Sequence, residues 1–177
     1  HGKVITRNSR GTVKFDYFMS KRFYWFVSAY GEQDTFQDLK LRTAMSTGPG
    51  YQVIDRGDFE SSYLKDLTLY GELGYSYFNE DFKIQADKSS SRLRWSIKAD
   101  WPLVPGKITL YHNHEAFHSL QNSKDFYITS DQGVRMTVYK NLVTALQLTY
   151  RYNANPPSGT KSADTLYLIN LGYSFDN

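Results

Sequence analysis

The chain has 177 residues, enough for one domain, and its 21 Lys and Arg against 18 Asp and Glu leave a net charge of +3. It contains no cysteine, which excludes a disulfide framework and thiolate metal sites, and no basic run exceeds two residues, which gives nucleic-acid binding no footing. Nor does any stretch approach the ~18–20 consecutive apolar residues of a spanning helix. The mean hydropathy of −0.56 still suits a transmembrane barrel, where only alternate strand residues meet lipid. The chain opens His1-Gly2-Lys3 without Met or a signal peptide, which reads as a processed, tagged or trimmed form.

Period-2 alternation, the signature of a strand with two unlike faces, runs along the whole chain. After a partial strand at Lys3–Asn8, Thr12–Met19 and Phe23–Glu32 carry weaker versions. In Leu39–Ile54, Leu39, Leu41, Met45, Tyr51 and Val53 oppose Lys40, Arg42, Ser46 and Gln52. Gly48-Pro49-Gly50 interrupts this strand and predicts a kink; no Lys-Ser/Thr follows it, as a nucleotide loop requires. In Leu67–Phe78, Leu69, Leu73, Tyr75 and Tyr77 oppose Thr68, Glu72, Gly74 and Ser76. Arg92–Trp101 is clearest, with Leu93, Trp95, Ile97, Ala99 and Trp101 on one face and Arg92, Arg94, Ser96, Lys98 and Asp100 on the other. Lys107–His118 and Phe126–Tyr139 are weaker, Leu142–Asn153 alternates throughout, and Tyr167–Phe175 closes the series. These segments exceed the ~5–6 residues of soluble strands and match the ~9–11 of a tilted membrane strand.

The connections alternate as well. Ser20–Arg22, Pro102–Gly106 and Lys140-Asn141 are short, whereas Glu80–Ser90 and Ala154–Asp164 are long and polar, as periplasmic turns and external loops are in outer-membrane barrels. Asp55–Lys65 breaks the parity by being long on the short side. The expectation is one domain over residues 1–177: an all-β, antiparallel up-and-down transmembrane β-barrel. Nine or ten strands are visible, both chain ends are periplasmic, and the full domain has 10–12 strands.

A soluble lipid-binding barrel would bury the apolar face, and a membrane barrel would expose it. The polar face carries both signs of charge at Lys14, Asp16, Lys40, Arg42, Glu72, Arg92, Arg94, Lys98, Asp100, Asp131, Arg135 and Arg151. The apolar face carries Tyr17, Trp25, Trp95, Trp101, Tyr150, Tyr152, Tyr173 and Phe175, many near strand ends. Amphipathic rings at strand ends match interfacial girdles, which favours the membrane barrel.

The C-terminal segment then points to a family. Tyr150 and Tyr152 end the penultimate strand, Asn155-Pro156-Pro157 with Lys161 and Asp164 follow, and Gly172-Tyr173-Ser174-Phe175 closes the chain's last strand. Upstream stand Asp34, Phe36, Leu41, Arg42, Gly48, Gly50 and Tyr51, preceded by Gly11–Phe18. Together these resemble the domain-of-unknown-function family 481, the YdiY-like salt-induced outer-membrane proteins, from about residue 11 to 175. The resemblance implies a bacterial outer-membrane barrel with no established chemistry, and further strands before Gly11 in the family.

Three site readings remain. His112, His114 and His118 share the face of Ile108 and Leu110, which places polar groups on the nominal lipid face; a subunit contact at His112 and His114 explains them better than a metal, for which two imidazoles are too few. The row Arg42, Glu72, Arg92, Arg94, Lys98, Asp131, Arg135 and Arg151 faces a lumen, either as a small ion path or as a paired network filling it. A lipid-hydrolysing site assembled from Ser46, Ser96, His112 and Asp100 has no spacing to support it. The expected function is therefore a structural or small-pore outer-membrane protein that self-associates, with no cofactor, no catalytic residue and membrane lipids as its surroundings. The alternatives are a soluble β-barrel binding an apolar ligand and an outer-membrane lipid-modifying enzyme.

Overall fold

Alternation of side chains along the chain becomes one antiparallel sheet. The computed structural model describes residues 8–34, 39–84, 86–156 and 161–173. Nine strands follow in chain order: β1 (Asn8–Phe18), β2 (Phe23–Asp34), β3 (Leu39–Ile54), β4 (Thr68–Phe82), β5 (Lys88–Val104), β6 (Ile108–Ser119), β7 (Phe126–Tyr139), β8 (Leu142–Asn153) and β9 (Ala163–Tyr173). Each pairs with the next, and spatial order equals sequence order. The partial strand at Lys3–Asn8, apart from Asn8, and Phe36, Pro157, Ser174 and Phe175 lie outside the described residues.

The sheet is curved enough for strands far apart in order to meet on its concave side. The Arg42 guanidinium of β3 lies 5.7 Å from the ring centroid of Tyr127 on β7, and that of Arg94 on β5 lies 4.6 Å from Phe26 on β2. Phe78 and Phe117 meet edge to face at 4.9 Å, with Ala44 in the same cluster and Tyr30 and Tyr127 packed against it.

The structure refines two expectations for β3. Gly48-Pro49-Gly50 inserts no bulge: the register against β2 runs unbroken from Phe23–Tyr51 to Glu32–Arg42, while the ladder to β4 skips Gly48 and Pro49 between Thr47–Tyr75 and Gly50–Glu72. The glycines instead admit aromatic rings. A Cβ on Gly50 would collide with the ring of Tyr24, and one on Gly74 would sit 2.7 Å from Phe26 Cζ. Tyr24 and Phe26 thus lie on a floor of bare backbone, almost wholly buried. Leu39 is also not on the apolar outer face. A register shift between Leu39 and Leu41 turns it inward, where it is buried.

Strand ends differ from expectation for a physical reason. The polar stretch Glu80–Ser90 is mostly strand, because β4 runs to Phe82 and β5 starts at Lys88. Outward residues there are polar too: Ser89 Oγ donates to Asn79 Oδ1, and Tyr75 Oη and Ser91 Oγ are 2.6 Å apart. Both faces of this hairpin tip are therefore polar, and alternation fades. Pro102 also belongs to β5, which extends to Val104 through a register shift, leaving a tight turn at 105–107 with Gly106 at φ 72°.

Candidate functional site

The inner face carries the paired charges among the buried rings of Tyr24, Phe26, Phe78 and Phe117, and the most buried of these charges fall into two networks. Glu72 on β4 is the hub of the first. It accepts from Lys14 Nζ at 2.5 Å, Tyr24 Oη at 2.8 Å and Arg94 Nη1 at 2.8 Å, and Arg94 Nε donates to Glu115 at 2.6 Å. Glu80 is the hub of the second. Arg42 donates to it at 2.7 Å through Nε and to Glu32 at 3.1 Å, and Arg92 lies 3.4 Å from both Glu80 and Asp125. Lys88 Nζ reaches Asp125 at 2.7 Å.

Carboxylates and cations alternate in both networks, and the guanidiniums of Arg92 and Arg94 each lie 4.6 Å from a Phe ring centroid. The central members are buried, with Glu80 3 % and Arg92 5 % exposed, while Lys14, Lys88 and Glu115 reach the surface at the ends of the networks. Such ions persist out of water only when paired and hydrogen-bonded, as these are. The Glu80 network and the Phe78–Phe117 cluster fill the interior toward the ends of the strands that meet connections 83–87 and 120–125, called here the loop side, whereas Lys14, Glu72, Arg94 and Glu115 line the space beyond them.

Toward the opposite, turn side the interior opens. A cavity of about 910 Å³ is lined by Asp16, Phe18, Lys98, Asp100, Asp131 and Arg135 among others, with Asp55 and Arg56 at its mouth. Arg135 stands 3.9 Å from Asp100, and Asp131 accepts from Thr149 Oγ1 at 2.5 Å. Lys98 and Arg135 are exposed within it. Arg151 joins neither network among the described residues, and its Nε is buried without a hydrogen-bond partner. The structure thus brings together Arg42 with Arg92, and Glu72 with Arg94, and leaves Lys98, Asp131 and Arg135 in the open half.

The unexpectedly long connection 55–67 is well tied down. Asp58 is bridged to Arg22 of the neighbouring turn at 2.5 Å and accepts from the Asp55 backbone N–H at 2.8 Å; Trp101 Nε1 donates to the Tyr63 carbonyl at 2.7 Å. The Asp55 N–H, and then the Arg22 guanidinium, hold the Asp58 carboxyl below the usual carboxylate range.

The outer face is apolar and open. Val13 is 76 % and Met45 66 % exposed, and Leu73, Ile97, Tyr150, Ile169 and Tyr173 are exposed beside them. All three tryptophans, Trp25, Trp95 and Trp101, point outward by register. Trp101 sits near the turn-side end of β5, whereas Trp95 is at mid-strand, stacked on Phe126 with centroids 5.4 Å apart. Tyr152 shares this face on β8.

One outward patch is polar. His112 and His114 stand on β6 with rings nearly parallel at 6.2 Å. The register sets them opposite Gln132 and Ser130 of β7, residues the sequence did not single out. His118 lies further along, against Phe126. The proposed set Ser46, Ser96, Asp100 and His112 is not brought together, because His112 is on the outer face and the other three on the inner. Among the described residues, no group of three or more His, Cys, Asp or Glu is placed to hold a metal ion.

A family model described as "Protein of unknown function, DUF481" matches residues 1–175. The chain belongs to the DUF481 family. No curated protein matches it. The match spans all nine strands of this DUF481 chain, so both charge networks, the cavity and the outward patch lie within the family's shared region. Among its described residues, no helix is long and apolar enough to cross a membrane, which leaves crossing by strands untouched.

Proposed function

We propose that this DUF481 protein is an integral β-barrel of the bacterial outer membrane, with a structural role, a lumen filled by side chains on the loop side, and a tendency to self-associate. One observation carries the reading: polarity is inverted, with ion-paired Arg and Glu buried on the concave face and large apolar side chains exposed on the convex one. Water would penalise that arrangement along every strand, whereas hydrocarbon rewards it.

Strand length agrees. The shortest strands have 11 residues. At ~3.3 Å per residue and ~45° tilt these span roughly 25 Å, the height of a barrel's apolar band. An unpaired strand edge has no hydrogen-bond partner in hydrocarbon, so the reading requires the free edges of β1 and β9 to be paired in the membrane. With nine strands β1 and β9 run the same way, so a direct seam would be parallel and one further strand would restore antiparallel pairing.

Filling of the loop-side half favours a structural role over an ion path, because conduction would require opening the Arg42–Glu80–Arg92 network. The test is purification followed by gel and bilayer measurements. The protein should need detergent, migrate faster unheated than boiled, and leave a planar bilayer silent. Steady ion conductance would overturn the filled lumen, and free solubility without surfactant would overturn the membrane assignment.

A further inference from the structure

We propose that the outward face of β6 and β7 binds a second copy of this chain, through His112, His114 and Gln132, with the buried Ser130 supporting Gln132. The inference rests on the membrane reading and names the contact by which copies associate.

The four residues occupy the middle of their strands. Ile108 and Leu110 flank the histidines toward one strand end and Ala116 toward the other; Phe126 and Ile128 flank Ser130 and Gln132 on one side, and Val134 and Met136 on the other. The patch therefore lies at the centre of the apolar belt, the depth where lipid offers no hydrogen bonds. Ser130 donates to Gln132 at 3.3 Å, which uses only part of the donor and acceptor capacity of the four side chains.

A second copy fits this site better than an unlike partner for two reasons. Copies inserted with the same orientation are related by a two-fold along the membrane normal, which preserves depth. The polar centre of one patch then meets the polar centre of the other, and the apolar ends meet apolar ends. Imidazole, amide and hydroxyl groups each donate and accept, so the patch is complementary to itself. On its β5 side the patch meets the small Ala99, opposite His112, and toward the fully buried Ala116 it is bounded by the ridge of the stacked Trp95 and Phe126.

The chain has no cysteine, so single introduced cysteines report unambiguously. Val134→Cys, beside the contact residues on β7, and, as control, Met45→Cys on the outward face of β3 are treated with a short bismaleimide in proteoliposomes. Val134→Cys should give a dimer band and Met45→Cys none. A monomeric Val134→Cys, or equal cross-linking at Met45→Cys, would overturn the proposal. The triple variant His112→Leu, His114→Leu, Gln132→Leu should halve the detergent-solubilised protein mass while keeping the unheated fast-migrating band; a dimer that survives these changes also overturns it. If the wild type shows that fast band yet is monomeric, the membrane reading stands and this contact fails. If the wild type shows no such band, both fail.

Discussion

At the scale of single residues, the interior is governed by charge compensation. Glu72 is held by Lys14, Tyr24 and Arg94 at once, and Glu72→Gln would take one carboxylate from each cation, leaving Lys14 with Asp16 and Arg94 with Glu115. Leaving a buried charge uncompensated costs about 3–5 kcal/mol, and with these partners retained the loss falls toward or below the lower end of that range. The temperature at which the unheated gel form is lost should fall markedly, whereas Glu60→Gln, on the exposed connection, should leave it unchanged. Packing sets the other residue-level constraint. Gly74→Ala presses a methyl group against the Thr47 carbonyl, 2.6 Å away, and the Phe26 ring. Overpacking of this kind costs about 1–3 kcal/mol, read as a lower urea midpoint in detergent. Gly71→Ala meets only ordinary contact, with Val53 at 3.9 Å, and should be silent by the same measurement.

At the scale of elements, most of the strands were legible because burial alternates with period two. β3, β7 and β8 begin and end where their patterns do, and the faces of Arg92–Trp101 are as read. The failures have physical causes. The β4–β5 hairpin extends beyond the apolar belt, where both faces are polar, so its strand ends carried no alternation. A single bulge reversed Leu39. The glycines of β3 and β4 serve rings on β2, a contact across strands that no pattern along one strand displays. Ser130 and Gln132 escaped notice because they interrupt the apolar row of β7, and only the register set them beside the histidines. The long turn-side connection 55–67 was legible as an anomaly and not as a tied strap. Its anchor is pH-dependent. The folded Asp58 carboxyl titrates below its unfolded value, so its stabilisation is present above the unfolded pKa and is lost as pH falls through the folded one. Exchange of the Gly57 amide, which donates to the Lys65 carbonyl at 2.6 Å, should show less protection at that acid limit relative to intrinsic rates. Asp58→Asn should reproduce the loss at neutral pH and expose Arg56 and Lys65 to trypsin.

At the scale of the whole molecule, the arrangement is a protein turned inside out. Its inner face holds ions that need one another, and its outer face exposes rings and aliphatic chains, as the proposed membrane setting would favour. The filled loop-side half and the open turn-side cavity make the two ends unlike, so solutes entering from the turn side should reach Lys98 and stop before Arg92. Cysteine at Ser96, within the cavity, should react with a small water-soluble maleimide, whereas cysteine at the fully buried Ser76 should not. The most direct test of the inverted polarity uses the intrinsic fluorophores, since Trp25, Trp95 and Trp101 all point outward. In vesicles of lipids brominated on the acyl chains, their fluorescence should be strongly quenched while aqueous iodide has little effect. Quenching by iodide with none by the brominated chains would place these rings in water and contradict the account.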